Sequence, residues 1–238
     1  MKYLITFSYD GSLFHGLERQ KNAKSIQGTL ENVLSNLLEQ EVFIKASGRT
    51  DKGVHALNQK AHFVIDKKIP MGFKKKVNDL LQDEIHIKRI KKVSKNFHAR
   101  FDVKKKKYRY IINLDKKNRN DAYMFTCFYK LDVKKMKKAS KVFVGTHDFK
   151  NFTSGYREDY KTHIYNIHVK KRKGKIIIDF LGTGFFRYMV RHLVGALYDV
   201  GRGKIEKEDI LKMLNEPNKE RQLTVMPANG LYLVYVKY

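Results

Sequence analysis

Residues 46–57 read ASGRTDKGVHAL, and they set one carboxylate, Asp51, between Gly48 and Gly53, with Arg49 before it and His55 beyond. A carboxylate in such a loop can be a metal ligand, a general base, a nucleophile or a turn former. Flanking glycines let the backbone approach a ligand closely. A neighbouring guanidinium favours the ionised form. Ser47, Arg49, Thr50, Asp51 and His55 crowd functional side chains into one short segment, which weighs toward chemistry over a plain turn. A metal site is the rival, because His55 and His62 lie close to Asp51 in sequence. No HExxH, DxD or paired-carboxylate spacing accompanies them, and two-metal hydrolysis takes several carboxylates. Walker loops, GxGxxG fingerprints and serine nucleophile elbows are also missing from the sequence. Neither a metal nor a nucleotide cofactor is therefore expected.

Charge indicates the class of partner. The 238 residues carry 50 Lys and Arg against 24 Asp and Glu, a net charge of +26. Such a field attracts polyanions and speeds their encounter, and the interleaved aromatics point to nucleic acid. A membrane surface is the weaker alternative, since no basic amphipathic helix with bulky apolar anchors stands out. No stretch approaches the ~20 apolar residues of a membrane span, and MKYLITFSYDG lacks the long apolar run of a secretory leader. A single cysteine, Cys127, excludes an intramolecular disulfide and suits a reducing compartment. A cytoplasmic, RNA-binding protein is the expectation.

An ionised carboxylate repels phosphate, so in this chain Asp51 reads as a nucleophile or base rather than as an RNA contact. Cofactor-free chemistry on a nucleobase requires the base to leave its stack and rest on an aromatic ring. Tyr108, in KKYRY, can supply that ring. It can equally be a core residue, because Tyr108, Tyr110 and Ile112 share one face of a strand.

The elements that must position these groups follow from periodicity. Alternation predicts strands over 3–9, 42–46, 60–65, 85–93, 107–114, 164–169, 175–181 and 231–238. Helical spacing appears over 25–40, with Ser25 as N-cap, and over 132–145, with Asp132 as N-cap. Residues 185–200 are apolar on most faces, which predicts a central helix, and a short helix follows near 206–215. The mixture lacks a strict βαβ rhythm, so the fold class is α+β with antiparallel sheet. KYLITF (2–7) and KYRYII (107–112) each open a strand followed by a long helix, which suggests two similar halves, 1–104 and 105–238. The first half carries the Asp51 loop. The second carries Tyr108, the Arg191 helix and the last strand.

Several long motifs occur together and in order. GRTDKGVHA (48–56) closely resembles the GRTDAGVHA signature of the tRNA pseudouridine synthase A family. YDGSLFHG (9–16), FHARFDVKKKKYRY (97–110), GTHDFKNF (145–152), FFRYMVRHLVG (185–195) and NGLYL (229–233) resemble further blocks of the same family. The resemblance implies a mixed, largely antiparallel sheet built from two ferredoxin-like halves, with the active cleft between them. It implies a cofactor-independent homodimer that isomerises uridine to pseudouridine at positions 38, 39 and 40 in the anticodon arm of tRNA. Asp51 would be the catalytic aspartate and Tyr108 the ring that packs on the target base. Arg191 would pair with the carboxylate across the cleft, Arg49 would position the RNA, and Leu231 or Leu233 would line the pocket.

The chain departs from the family pattern at three places. Lys52 replaces the usual alanine, GLE (16–18) replaces GWQ, and LQ (81–82) replaces LP. None removes a catalytic group. Beside Tyr108, the run Lys104–Lys107 is the best placed to meet RNA, whereas the lysines of KKMKK (134–138) read as a solvated helix face. Two other functions remain as contrasts: an RNA binder that has lost catalysis, and a metal nuclease.

Overall fold

A computed structural model describes residues 1–218 and 223–238. The alternation in KYLITFSY turns Tyr3, Ile5, Phe7 and Tyr9 inward from β1 (Lys2–Tyr9). Helix α1 (Ile26–Leu38) buries the stripe Ile26, Leu30, Leu34 and Leu38, and Ser25 caps it by accepting from the Gly28 N–H. β2 (Lys45–Ala46) and β3 (His55–Val64) follow, then α2 (Phe73–Leu81) and β4 (Ile85–Lys92). β1 lies between β3 and β4, antiparallel to both, with Thr6 opposite Lys60 on one side and Arg89 on the other. β2 pairs antiparallel with β3. Asn78 joins α2 to β4, donating to the Ile87 carbonyl and accepting from its N–H.

The chain divides into two compact units, Met1–Lys104 with Tyr232–Tyr238, and Lys105–Leu231. The last strand (Leu231–Lys237), which sequence order places in residues 105–238, thus lies almost wholly with the first unit. It runs parallel to β3, with Tyr232 opposite His55 and Leu233 opposite Ala56.

In the second unit, β5 (Lys105–Asn113) is followed by β6 (Phe125–Thr126), α3 (Val133–Ser140), β7 (Gly145–Asp148), β8 (Lys161–Arg172), β9 (Lys175–Gly182), α4 (Met189–Gly201) and α5 (Lys207–Asn215). β5, β9, β8 and β7 form an antiparallel array in that order, and the short β6 runs parallel to β5. α3 buries Met136 and Ala139 and leaves Lys134, Lys135, Lys137 and Lys138 exposed, as a solvated face requires. α4 is buried along most of its length. Both units are α+β, and the sheet pairing is largely antiparallel.

Two expectations need correction. Only Lys45 and Ala46 of the predicted strand 42–46 form a ladder. The lead-in is fixed by α1 side chains instead: Val42 N–H donates to Ser35 Oγ, and Ile44 N–H donates to Glu31 Oε1 (both 2.9 Å). The third strand begins at His55 rather than at residue 60, because β1 continues past a bulge to pair Tyr9 with Ala56. The departure at residue 82 also has a backbone reason. Gln82 has φ +47°, which the proline ring forbids.

Candidate active site

In the first unit the Asp51 loop joins β2 to β3 and is held from three directions. Ser47 Oγ donates to Gln59 Oε1 (2.6 Å), while Gln59 Nε2 donates to the Gly48 carbonyl (3.1 Å). The Tyr9 and Thr50 hydroxyls share a buried hydrogen bond of 2.8 Å, and burial pushes the Tyr9 phenol up to about 12. The Asp51 carbonyl accepts from Val54 N–H (3.1 Å), closing a turn in which Gly53 has φ +79°. Asp51 itself is partly exposed at the head of this clamped loop.

The segment YDGSLFHG supplies the backing. A Cβ at Gly11 would lie 2.1 Å from the Val54 carbonyl oxygen. A Cβ at Gly16, whose φ is +102°, would lie 3.1 Å from the Thr50 carbonyl oxygen. Bare backbone at both positions is therefore what allows the first motif to pack against the second. Leu17 N–H donates to the Thr50 carbonyl (3.1 Å), and Gly11 N–H donates to His55 Nδ1 (3.1 Å). The His55 ring stacks on Tyr232 of the last strand, with centroids 4.7 Å apart. His55 is thus a scaffold for the loop. His62 likewise accepts a backbone bond on Nδ1, from Ala99 N–H (3.1 Å). Among the described residues no three His, Cys, Asp or Glu side chains gather as a metal site would require.

Arg49 projects into solvent and ion-pairs with the Glu18 carboxylate. Lys52 is exposed. Glu31 is a structural residue that sequence reading missed. Only 1% exposed, it holds Arg19 at 2.7 Å, accepts from Gln27 Nε2, and fixes Ile44 ahead of the loop. A glutamate at a core position of an otherwise apolar stripe was the available signal.

In the second unit, Tyr108, Tyr110 and Ile112 turn inward from β5. The Tyr108 ring meets Phe185 edge-on at 5.2 Å. The Tyr110 hydroxyl donates to the Pro227 carbonyl (2.7 Å), and its burial raises the phenol strongly. On the opposite face, Asp179 of β9 receives Arg109 (2.6 and 3.0 Å) and Lys107 (3.0 Å). These two cations hold the Asp179 carboxyl below its ordinary range against a burial effect that raises it. Lys105 lies over the Tyr165 ring at 4.3 Å. Lys105 and Lys107 of the basic run therefore have intramolecular partners.

Arg191 lies in the first turn of α4 and is tied twice to one residue. Its Nε donates to the Met226 carbonyl (2.5 Å), and its own carbonyl accepts from Met226 N–H (3.3 Å). Tyr188, the helix N-cap, has φ +59°, an unfavourable conformation for a bulky residue. It places the Tyr188 ring 4.7 Å from the Arg191 guanidinium and 5.2 Å from that of Arg187. Burial, and then the charge of Arg191, lower His192 to about 4. Leu231 and Leu233 are buried at the start of the last strand. Gly230 precedes them because a Cβ there would lie 2.8 Å from both the Ile111 carbonyl and the Tyr110 ring.

Comparison with known proteins places this arrangement. The sequence profile described as tRNA pseudouridine synthase matches residues 5–102 and 139–238. The tRNA pseudouridine synthase A of Mycoplasmoides gallisepticum is 38% identical over 242 residues, covering 99% of this chain and 90% of that protein. Those of Pseudothermotoga lettingae and Caldicellulosiruptor bescii are also 38% identical, covering 100% and 99% of this chain and 99% and 98% of theirs. The similarity runs through both units, including the Asp51 loop, its glycine backing and the Arg191 helix. The chain belongs to the tRNA pseudouridine synthase A family, and it is an isomerase acting on tRNA.

Proposed function

We propose that the enzyme converts uridine to pseudouridine at positions 38, 39 and 40 in the anticodon arm of tRNA, with Asp51 as the nucleophile. The observation that carries the reading is the build of the Asp51 loop. A partly exposed carboxylate sits on backbone clamped by Gln59, Thr50 and Val54, with two glycine contacts behind it. Fixed placement of a reacting group is a large part of catalytic rate.

The reaction is an isomerisation and balances within the nucleotide. The N1–C1′ bond breaks, the uracil turns in place, C5 bonds to C1′, the C5 proton leaves, and N1 takes up a proton. No redox partner or energy source is needed. Asp51 acts as the anion. In this reading Tyr108 keeps the detached uracil stacked and shielded from water, Arg191 is the basic partner of the Asp51 carboxylate, Arg49 positions the RNA, and Leu231 lines the pocket. These roles rest on the matching motifs. The enzyme acts without a cofactor, as a cytoplasmic homodimer, in keeping with the same resemblance.

Three tRNA transcripts test the site choice, each keeping uridine at only one of positions 38, 39 and 40. Pseudouridine mapped at each retained position, undiminished by chelator, is the expected result. Product elsewhere in the tRNA, or product that requires added metal, would overturn it.

A further inference from the structure

The loop between β5 and α3 carries a second aromatic and cationic surface, separate from the residues above. Phe128 and Tyr129, which follow β6, are 53% and 55% exposed. Lys116 Nζ lies 5.8 Å and the Arg119 guanidinium 5.5 Å from the Phe128 ring centre. The Arg202 guanidinium lies 3.7 Å from the Tyr129 ring centre. Arg119 pairs with Asp121, but no carboxylate forms an ion pair with Lys116 or Arg202 among the described residues.

The loop beneath the rings is firmly built. Buried Asn113 donates to the Asp115 and Asn118 carbonyls (2.8 and 3.1 Å), and its own carbonyl accepts from Cys127 N–H (2.8 Å). The Asp115 carboxylate accepts from Lys117 and Asn118 N–H. The two rings are therefore held outward by a satisfied scaffold, which lowers the ordering cost of binding. The loop also falls between the two stretches matched by the family profile, residues 5–102 and 139–238.

We propose that this surface binds an unpaired nucleotide of the tRNA, away from the uridine being isomerised. A base stacks on Phe128 or Tyr129, and the flanking phosphates meet Lys116, Arg119 and Arg202. Exposed rings flanked by cations match the two demands of unstacked RNA, a π face and a charged backbone. A second copy of the chain is a poorer occupant, because a symmetric contact would set these cations against one another. Arg202 caps the C-terminus of α4, and Arg191 lies in its first turn. They stand eleven positions apart along the helix, or about 16 Å. The surface therefore reports on RNA at a fixed distance from Arg191, and in this respect the proposal rests on the role given to Arg191 above.

The test compares wild type with the double variant Phe128→Ala/Tyr129→Ala, using unmodified tRNA transcript and measuring Kd and kcat separately. One lost stack is worth roughly a 5- to 100-fold rise in Kd, with kcat at saturating tRNA unchanged. The pair Lys116→Gln/Arg202→Gln should flatten the dependence of log Kd on log salt by about 1.5. Asp51→Ala, run alongside, should bind tRNA as wild type does, so failure of the chemical assignment appears in product and not in Kd. An unchanged Kd in the ring variant overturns the proposal. So does a shift from dimer to monomer by sedimentation with Kd per protomer unchanged, which would make the surface a subunit contact.

Discussion

Replacing Gly11 by alanine should impair catalysis without touching any group that reacts. The new Cβ would stand 2.1 Å from the Val54 carbonyl oxygen and 2.4 Å from its carbon. Ordinary contact begins at 3.4 Å, so the two backbones must separate by about 1.3 Å. Both are held tightly. Gly11 N–H is bonded to His55, and Val54 N–H to the Asp51 carbonyl. The displacement therefore passes into the turn that carries Asp51. Overpacking of this kind costs about 1–3 kcal/mol, which for a chain of this size lowers Tm by roughly 2–12 °C. A reacting group displaced by about 1 Å loses on the order of 100-fold in rate. The expected result is a folded protein whose kcat for tRNA falls about 100-fold while its Kd for tRNA changes little. Single-turnover kinetics beside a thermal melt separate the effects. A folded variant with kcat within about twofold of wild type would refute the claim that this glycine contact sets the position of Asp51.

Other perturbations have definite signs. Tyr9→Phe removes the buried hydroxyl paired with Thr50 and should cost about 1–2 kcal/mol in denaturant unfolding, with a smaller loss of kcat than Gly11→Ala. His62 and His192 are both lowered to about 4 from 6.5, chiefly by burial. The unfolded chain therefore binds more protons between those values, so stability is full above about pH 6.5 and falls as pH drops toward 4. Each histidine should contribute about 2 kcal/mol of that loss by pH 5, measured as a fall in the urea midpoint. Glu18→Gln releases Arg49 from its exposed ion pair. If Arg49 meets RNA, tRNA binding should tighten by a few fold at low salt, and the gain should vanish at high salt.

Much of the scaffold was legible because its determinants are local. Ser25 and Asp132 announced their helices as N-caps, and both accept the backbone bond expected of them. The apolar length of 185–200 marked a buried helix, and α4 is buried. Its first turn starts later, because Tyr188 adopts a left-handed conformation that no periodicity reveals. Helix α2 went unread: its stripe is only Phe73, Val77 and Leu81, set among lysines, and its N-cap, Gly72, has no side chain to signal it. β7 is four largely polar residues held by pairing with β8. These elements exist through tertiary contacts, which a linear pattern does not contain.

The site divides in the same way. The residue types around Asp51 and their glycine spacing were readable, as was the inward, core-facing position of Tyr108 on its strand. The glycines at 11 and 16 were visible as a motif, but their function as backing for the Asp51 loop needed coordinates. The Arg49–Glu18 pair was hidden because the two residues are far apart in sequence. Sequence placed Arg49 as a support for the Asp51 charge, and the structure shows it engaged with Glu18. The same holds for Glu31, whose three partners, Gln27, Arg19 and Ile44, come from α1, the segment before it and the lead-in to β2.

The most direct test of the central claim is pseudouridine formation in an unmodified tRNA transcript with uridine at positions 38–40, by wild type and by Asp51→Ala, with chelator present. Product from wild type, none from Asp51→Ala, and equal tRNA binding by both is the predicted result. Product from Asp51→Ala, or none from wild type despite tight binding, would contradict the assignment of Asp51 as the nucleophile of this isomerase.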